Sequence, residues 1–462
     1  MGLTRREVMA LAGGLAAAQV APGKAGAASG AYRVLTAAPA KVRLAPEAFP
    51  ETLAWTYDGQ VPGPVLRHKR GEMFEARLVN DLPEQATTLH WHGLRLPNAM
   101  DGVPGMTQEA VRPGDSFDYR FALRDAGTFW YHPHANSLEQ ISRGLAGVLV
   151  VEEDTPPEVD AEEVLVLDDW RLTRDAQVDP DFGNRHDMSH AGRLGNFVTV
   201  NGAGELRRSF PTGTRLRLRL VNAATARVFR LVFQGMRAWA VALDGMPLEQ
   251  PGAVDTVDIG PAQRVDLIVD VTAGTGEEAI IGSVERDGTY STVSVSVAGK
   301  AQATRPAPGP LPPNDMPQVV LAGARQVPLV MEGGAMRGLP EQVAWQGSRM
   351  AARQLYEAGQ FWAFNGQAGM DAAPLVEAGR GETVRVPMEN RTAFAHAMHL
   401  HGQHFREVLP EGGLGPWRDT LVVQPEENRE IAFVAETPGD WMFHCHMAAH
   451  QMSGMMNWIR IT

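Results

Sequence analysis

Cysteine is almost absent from this chain: its 462 residues contain one, Cys445, so no internal disulfide can form. Long apolar runs are missing too. Beyond a short stretch over residues 10–18, no segment stays apolar for the roughly 20 residues that a membrane-crossing helix requires, so no membrane span is expected. Positive charge is in deficit. Lys and Arg number 42 against 54 Asp and Glu, a formal charge of −12, which excludes an extended nucleic-acid footprint. What is plentiful is glycine (48) and proline (32), with strand-like runs between them. Residues 215–220 (Arg-Leu-Arg-Leu-Arg-Leu) and 292–297 (Thr-Val-Ser-Val-Ser-Val) alternate strictly, and the pattern predicts an all-β protein with many turns. The length allows two to four domains, each able to bury its own core.

The single thiol sits between two imidazoles in His444-Cys445-His446, with His450 and Met455 following. A His₂Cys set with a weak axial Met describes an electron-transfer copper site. On an extended strand successive side chains alternate faces, so His444 and His446 turn away from Cys445 and can serve a second metal site. Of the 14 histidines, ten fall in four clusters: His90-Trp91-His92, His132-Pro133-His134, His396-Ala397-Met398-His399-Leu400-His401, and His444-Cys445-His446 with His450. Each H-x-H pair on a strand puts both rings on one face. Four such pairs supply eight imidazoles, enough for three copper ions. Structural zinc fits less well, because it closes with four ligands and leans on several cysteines.

The chain also resembles itself. Tyr57-Asp58-Gly59, Val200-Asn201-Gly202 and Phe364-Asn365-Gly366 are turn signals that each lead into a similar strand pattern. Asn80, Asn222 and Asn390 recur at matching positions, but the middle copy has Leu231-Val232-Phe233 where the outer copies have H-x-H. Gly127 to His134 parallels Gly439 to His446, with Pro133 standing where the last copy has Cys445. The expected organisation is an export signal over 1–27 and domains over 28–155, 156–300 and 318–462, with a Pro-rich linker at 301–317. The outer domains are expected to meet and share the eight imidazoles, with the middle domain as a spacer carrying no copper ligands. Arg5-Arg6 before a short apolar stretch, Lys24, and the small residues 25–27 look like a twin-arginine export signal, which implies a periplasmic protein.

Together these clusters resemble the copper signatures of the multicopper oxidases, the family of laccases and cuprous oxidases, over essentially the whole chain after residue 27. The resemblance implies three cupredoxin-like Greek-key β-sandwich or barrel domains and four copper ions. By position, His396, Cys445, His450 and Met455 match the type 1 ligands, and His90 and His399 the type 2 ligands. His92, His132, His134, His401, His444 and His446 match the type 3 ligands. The implied reaction takes single electrons from a donor at the type 1 site, through the His450 or His396 edge. They then pass along Cys445 to His444 and His446, and dioxygen is reduced to water. Asp101, in Met100-Asp101-Gly102, stands where the family often has an acid, and is expected to act as proton donor. Three positions depart from the family's pattern: Gln451 where an acid is frequent, Ala397 where proline is, and Gln403 where histidine is.

The remaining histidines receive plainer readings: His68 at the surface, His404 as a packed neighbour, and His186 with His190 in a solvated loop. Methionines Met442, Met447, Met452, Met455 and Met456 crowd the last cluster, yet the region Gly333 to Gly359 holds only Met336 and Met350 and forms no methionine-rich segment. The expected donor is therefore a phenol or aromatic amine, with Cu(I) as the alternative and a non-catalytic copper-binding scaffold as the reading from another class. A monomer is expected.

Overall fold

The computed structural model describes residues 32–370 and 372–462, so the segment read as an export signal lies outside the described residues. Three β-sandwiches follow one another along the chain. In the first, strands Arg33–Val42, Thr52–Tyr57, Met73–Asn80 and Ser116–Ala122 form one sheet, and Leu66–Lys69, His90–His92, Gly127–His132 and Gly147–Glu152 form the other. The second pairs a six-stranded with a five-stranded sheet, and the third a seven-stranded with a five-stranded sheet. All three are cupredoxin-like. The middle domain packs its own core around Leu216, Leu218, Leu220, Leu231 and Val295. The cores of the first and last domains run together as one apolar cluster, from Phe74 and Trp91 to Met398 and Trp441.

The repeat has a physical basis in three asparagines. In each domain the first strand pairs in parallel with the strand ending at that asparagine: Ala37 opposite Asn80, Leu167 opposite Asn222, and Met331 opposite Asn390. Each side chain is buried and ties the following turn by accepting from the amide two residues on, at Leu82, Ala224 and Thr392. Each Nδ2 donates to carbonyls of two separate loops, such as Gln85 and Val111 for Asn80, and Arg227 and Ile259 for Asn222. The Asp58-Gly59, Asn201-Gly202 and Asn365-Gly366 pairs all adopt positive φ, between 50° and 78°, as two-residue turns of the primed type require.

The alternation at residues 215–220 is a strand, but its polar half does not face water. All of Arg215–Asn222 is buried, and Arg217 and Arg219 form ion pairs with Glu153, Glu162 and Asp266 beneath the first domain. Residues 301–321 have no helix or strand. They run along the first domain, where Asn314 pairs with both main-chain groups of Ala126 and the Asp315 carbonyl accepts from Arg95. Among the described residues no helix is long and apolar enough to cross a membrane.

Replacing Asn222 with Ala strands two buried carbonyls and one amide of the middle domain without touching any histidine cluster. The expected loss is about 3 kcal/mol in urea unfolding, with the outer domains' ligands untouched.

Candidate metal centre

Strand register brings the histidines together. In the first domain His90–His92 lies antiparallel to Gly127–His132, with His90 opposite His132. In the last domain His396–Leu400 lies antiparallel to Gly439–Cys445, with His399 opposite His444 and Met398 opposite Cys445. Cross-strand partners have Cβ atoms about 5 Å apart. Alternation sends Trp91 and Met398 into the core. The two domains then set their histidine faces against each other.

All eight imidazoles are buried, the most exposed being His134 at 7%. Their outer nitrogens are tied down. The Nδ1–H of His90 donates to the Asp101 carbonyl (2.7 Å), of His399 to the Asp419 carbonyl (2.9 Å), and of His132 to the Pro133 carbonyl (3.1 Å). His444 donates to the Cys445 carbonyl (3.0 Å) and His401 to Asp101 Oδ2 (2.9 Å). Carbonyls and carboxylates only accept, so each of these rings keeps a lone pair on Nε2. Two of those lone pairs meet, His401 Nε2 lying 3.0 Å from His444 Nε2, and that of His132 faces His446 Nε2 at 3.3 Å. The His401–His444 contact is repulsive unless a cation sits there. Nε2 of His90, His134 and His399 and Nδ1 of His92 and His446 are buried without a hydrogen-bond partner, which a native interior rarely tolerates. Ligand atoms gather as His134, His401 and His444, as His90, His399 and His401, and as His90, His92 and His132, each set within 4.8 Å. Burial, then the neighbouring imidazoles, pushes His92, His132, His134, His399, His401 and His446 down in pKa, and burial holds His444 to about 4. The neutral ring is the form that binds a metal.

A second buried group lies on the other side of the same strand. Cys445 Sγ is 3.8 Å from His396 Nδ1 and 3.7 Å from His450 Nδ1, and the two Nδ1 atoms are 3.0 Å apart. His450 donates its Nε2–H to the His190 carbonyl (2.6 Å), and His396 Nε2 lies 2.7 Å from Thr392 Oγ1. Both Nδ1 lone pairs therefore point at the sulfur. Burial pushes the thiol up to about 12, so thiolate forms here only with a cation to hold it. Met455 is buried, its carbonyl accepting from the Cys445 amide and its amide donating to the His450 carbonyl. His396 and His450 expose no edge to solvent, contrary to the entry route expected from the sequence. Trp362 packs on both rings and the His190 carbonyl of the middle domain caps His450, so the middle domain is more than a spacer.

Asp101 is 1% exposed and spans the two outer domains, with Oδ2 on His401 and Oδ1 3.3 Å from His90 Nδ1. Sequence reasoning missed its counterpart, Asp419. That carboxylate lies 3.2 Å from His92 Nε2, while its main chain holds His399. Arg264 of the middle domain grips it with two bonds of 2.9 and 2.5 Å, and both residues are wholly buried. Gly93 explains why glycine follows the first H-x-H: at φ +85° it lies so close to Arg264 and Asp419 that a Cβ would overlap both. His404 packs nearby, 3.7 Å from Asp419 Oδ2. His68 meets Glu72 at the surface, and Gln451 accepts from Ser137.

Replacing Arg264 with Met leaves Asp419 a buried charge without its partner, and an expected cost of about 3–5 kcal/mol in denaturant unfolding. Acid offers a separate check on the metal-free chain. Folded His404, His444 and His450 take up protons only near pH 4, whereas unfolded histidines do so near 6.5. Stability is therefore complete above pH 6.5 and falls as pH drops from 6.5 towards 4, which thermal melts across that range should trace.

Three successive segments, residues 40–156, 161–283 and 346–462, each match a family model described as multicopper oxidase. The chain is 30% identical to the multicopper oxidase MmcO of Mycobacterium tuberculosis, covering 91% of this chain and 85% of that one. The structure superposes on a multi-copper oxidase from Pseudomonas thermotolerans with a TM-score of 0.81 and 31% identity, covering 94% and 99%. It also superposes on Lac15 from a marine microbial metagenome with a TM-score of 0.74 and 37% identity, covering 93% and 100%. With the copper-binding chemistry of its histidine clusters, this chain belongs to the multicopper oxidase family.

Proposed function

We propose that the chain uses four copper ions to couple oxidation of a small reducing donor to reduction of dioxygen. His396, Cys445 and His450, with Met455 as axial partner, would hold the type 1 ion. His90 and His399 would hold the type 2 ion, and the type 3 pair would divide between His134, His401 and His444 on one side and His92, His132 and His446 on the other. Bound there, copper supplies one-electron oxidation of the donor and four-electron reduction of dioxygen to water. The observation that carries this reading is the tripeptide His444-Cys445-His446, whose thiol faces one group of inward lone pairs while its imidazoles face the other. No side chain needs to move for the two groups to communicate, because they are joined through a single stretch of backbone.

The protein's own part is to orient and to supply protons. Main-chain carbonyls fix the tautomers, so the metal-facing nitrogens are chosen before any ion arrives. Reduction of dioxygen to two waters consumes four protons. Asp101 lodges its carboxyl against imidazoles from both outer domains, and we assign it the delivery of those protons. Gln451 cannot take such a role. The donor class is a phenol, aromatic amine or Cu(I), and the paired arginines near the N-terminus support action in the periplasm.

Two substitutions test this. In copper-loaded protein, Cys445→Ser should abolish both the strong blue absorption and donor-driven oxygen consumption while circular dichroism is retained. If the unaltered protein, fully loaded, shows neither signal with any donor, the oxidase reading fails. Asp101→Asn keeps shape but removes the acid, so blue absorption should persist while kcat falls by roughly 10²–10³-fold.

A further inference from the structure

The three turn asparagines allow a comparison within the chain. In each domain the asparagine Oδ1 closes its turn on the amide two residues on, at Leu82, Ala224 and Thr392. All three of those residues are buried. Two copies show that an apolar side chain suffices for the turn. Only the copy that holds Cys445 has a hydroxyl there, and burying a hydroxyl costs free energy unless it is hydrogen-bonded. The difference calls for a role outside the turn.

The surroundings of that hydroxyl show what it does. Its hydrogen has two acceptors within reach, Asn390 Oδ1 at 2.8 Å and the Phe394 carbonyl at 3.1 Å. Its oxygen accepts from the Phe394 amide at 3.2 Å. A threonine hydroxyl has one hydrogen and two lone pairs, so one accepting position is left. His396 Nε2 occupies it at 2.7 Å, and the pair is buried. The ring therefore supplies the hydrogen, Nε2–H donating to Thr392 Oγ1, and its lone pair stays on Nδ1, which faces Cys445 Sγ. The opposite tautomer would need the hydroxyl hydrogen, and thus the loss of its bond to Asn390 or Phe394. His450, the other imidazole of the triad, gives its Nε2–H to a main-chain carbonyl, that of His190. Among the described residues, Thr392 is thus the one side chain bonded to the outer nitrogen of either ring.

We propose that Thr392 is a positioning residue that holds down the reduction potential of the copper ion bound by His396, Cys445 and His450. The inference rests on the type 1 reading of that group. Donation from Nε2–H to a fixed oxygen makes the imidazole a more basic ligand. A more basic nitrogen gains more with doubly charged Cu(II) than with Cu(I), so the oxidised form is favoured. A lower potential narrows the range of donors the protein can oxidise. It also adds driving force to electron transfer from Cys445 towards His444 and His446.

Thr392→Val keeps the shape of the side chain, and the apolar residues of the other two copies show that the turn tolerates it. Redox titration of the blue band in copper-loaded protein should then find a higher midpoint. The expected rise is about 59 mV, the equivalent of a tenfold change in a one-electron equilibrium. A chelator should withdraw Cu(II) from the blue site about tenfold more readily. Thr392→Ser restores the hydroxyl and should return both readings most of the way to those of the unsubstituted protein. An unmoved or lowered midpoint in Thr392→Val overturns the assignment. So does a Thr392→Ser shift as large as that of Thr392→Val, since packing and not the hydroxyl is then responsible. Absence of a blue band from the loaded, unsubstituted protein defeats the type 1 reading instead.

Discussion

Eight imidazoles that point lone pairs at one another set the terms for the rest of this structure. Left alone, the His401–His444 contact repels, and five buried ring nitrogens in the same space have no partner. Such an arrangement persists only because the rings are held from behind. Six of the eight rings, those of His90, His92, His132, His399, His401 and His444, are bonded to a carbonyl or carboxylate, and the strands that carry them lock their alternate side chains in the shared core of the outer domains. Folding therefore prepares a repulsive cavity that a cation relieves, and metal binding becomes part of the stability of the native state.

The middle domain contributes to both ends of the centre without lending a ligand. Arg264 reaches in to neutralise Asp419, which in turn orients His92 and His399. A buried pair of this kind is weak as a source of net stability, because desolvation offsets most of the attraction. Its use here is geometric. It fixes two metal-facing rings and draws the three domains into one register, with Arg264 also donating to the Thr128 carbonyl of the first domain. At the opposite end, the segment Met188 to His190 bonds His450 and holds Trp362, whose ring packs on both imidazoles of the sulfur-containing triad.

Much of this could be read along the chain. The H-x-H spacing, the thiol at the centre of one pair, and the turn dipeptides before each repeat are local signals. The three asparagines were visible as a repeat, though their role in tying loops came only from the fold. Asp419 and Arg264 were not legible, since they meet across 155 positions and neither sits beside a histidine motif. The burial of Arg217 and Arg219 escaped notice for a similar reason, as alternation shows a strand but not what covers its polar face. The type 1 site was expected to show an edge to solvent. What hides it is Trp362 together with the end of a short helix from another domain, whose histidines looked like an ordinary surface loop.

The central claim is that one thiol serves one copper ion while imidazoles alone serve the others. Copper-edge X-ray absorption on fully loaded protein, with copper counted per chain, tests it most directly. The account predicts four ions per chain with short thiolate-sulfur scattering from one in four, lost on replacing Cys445 with Ser while the nitrogen shell of the rest remains. A single ion per chain, or short thiolate scattering that survives that replacement, would contradict it.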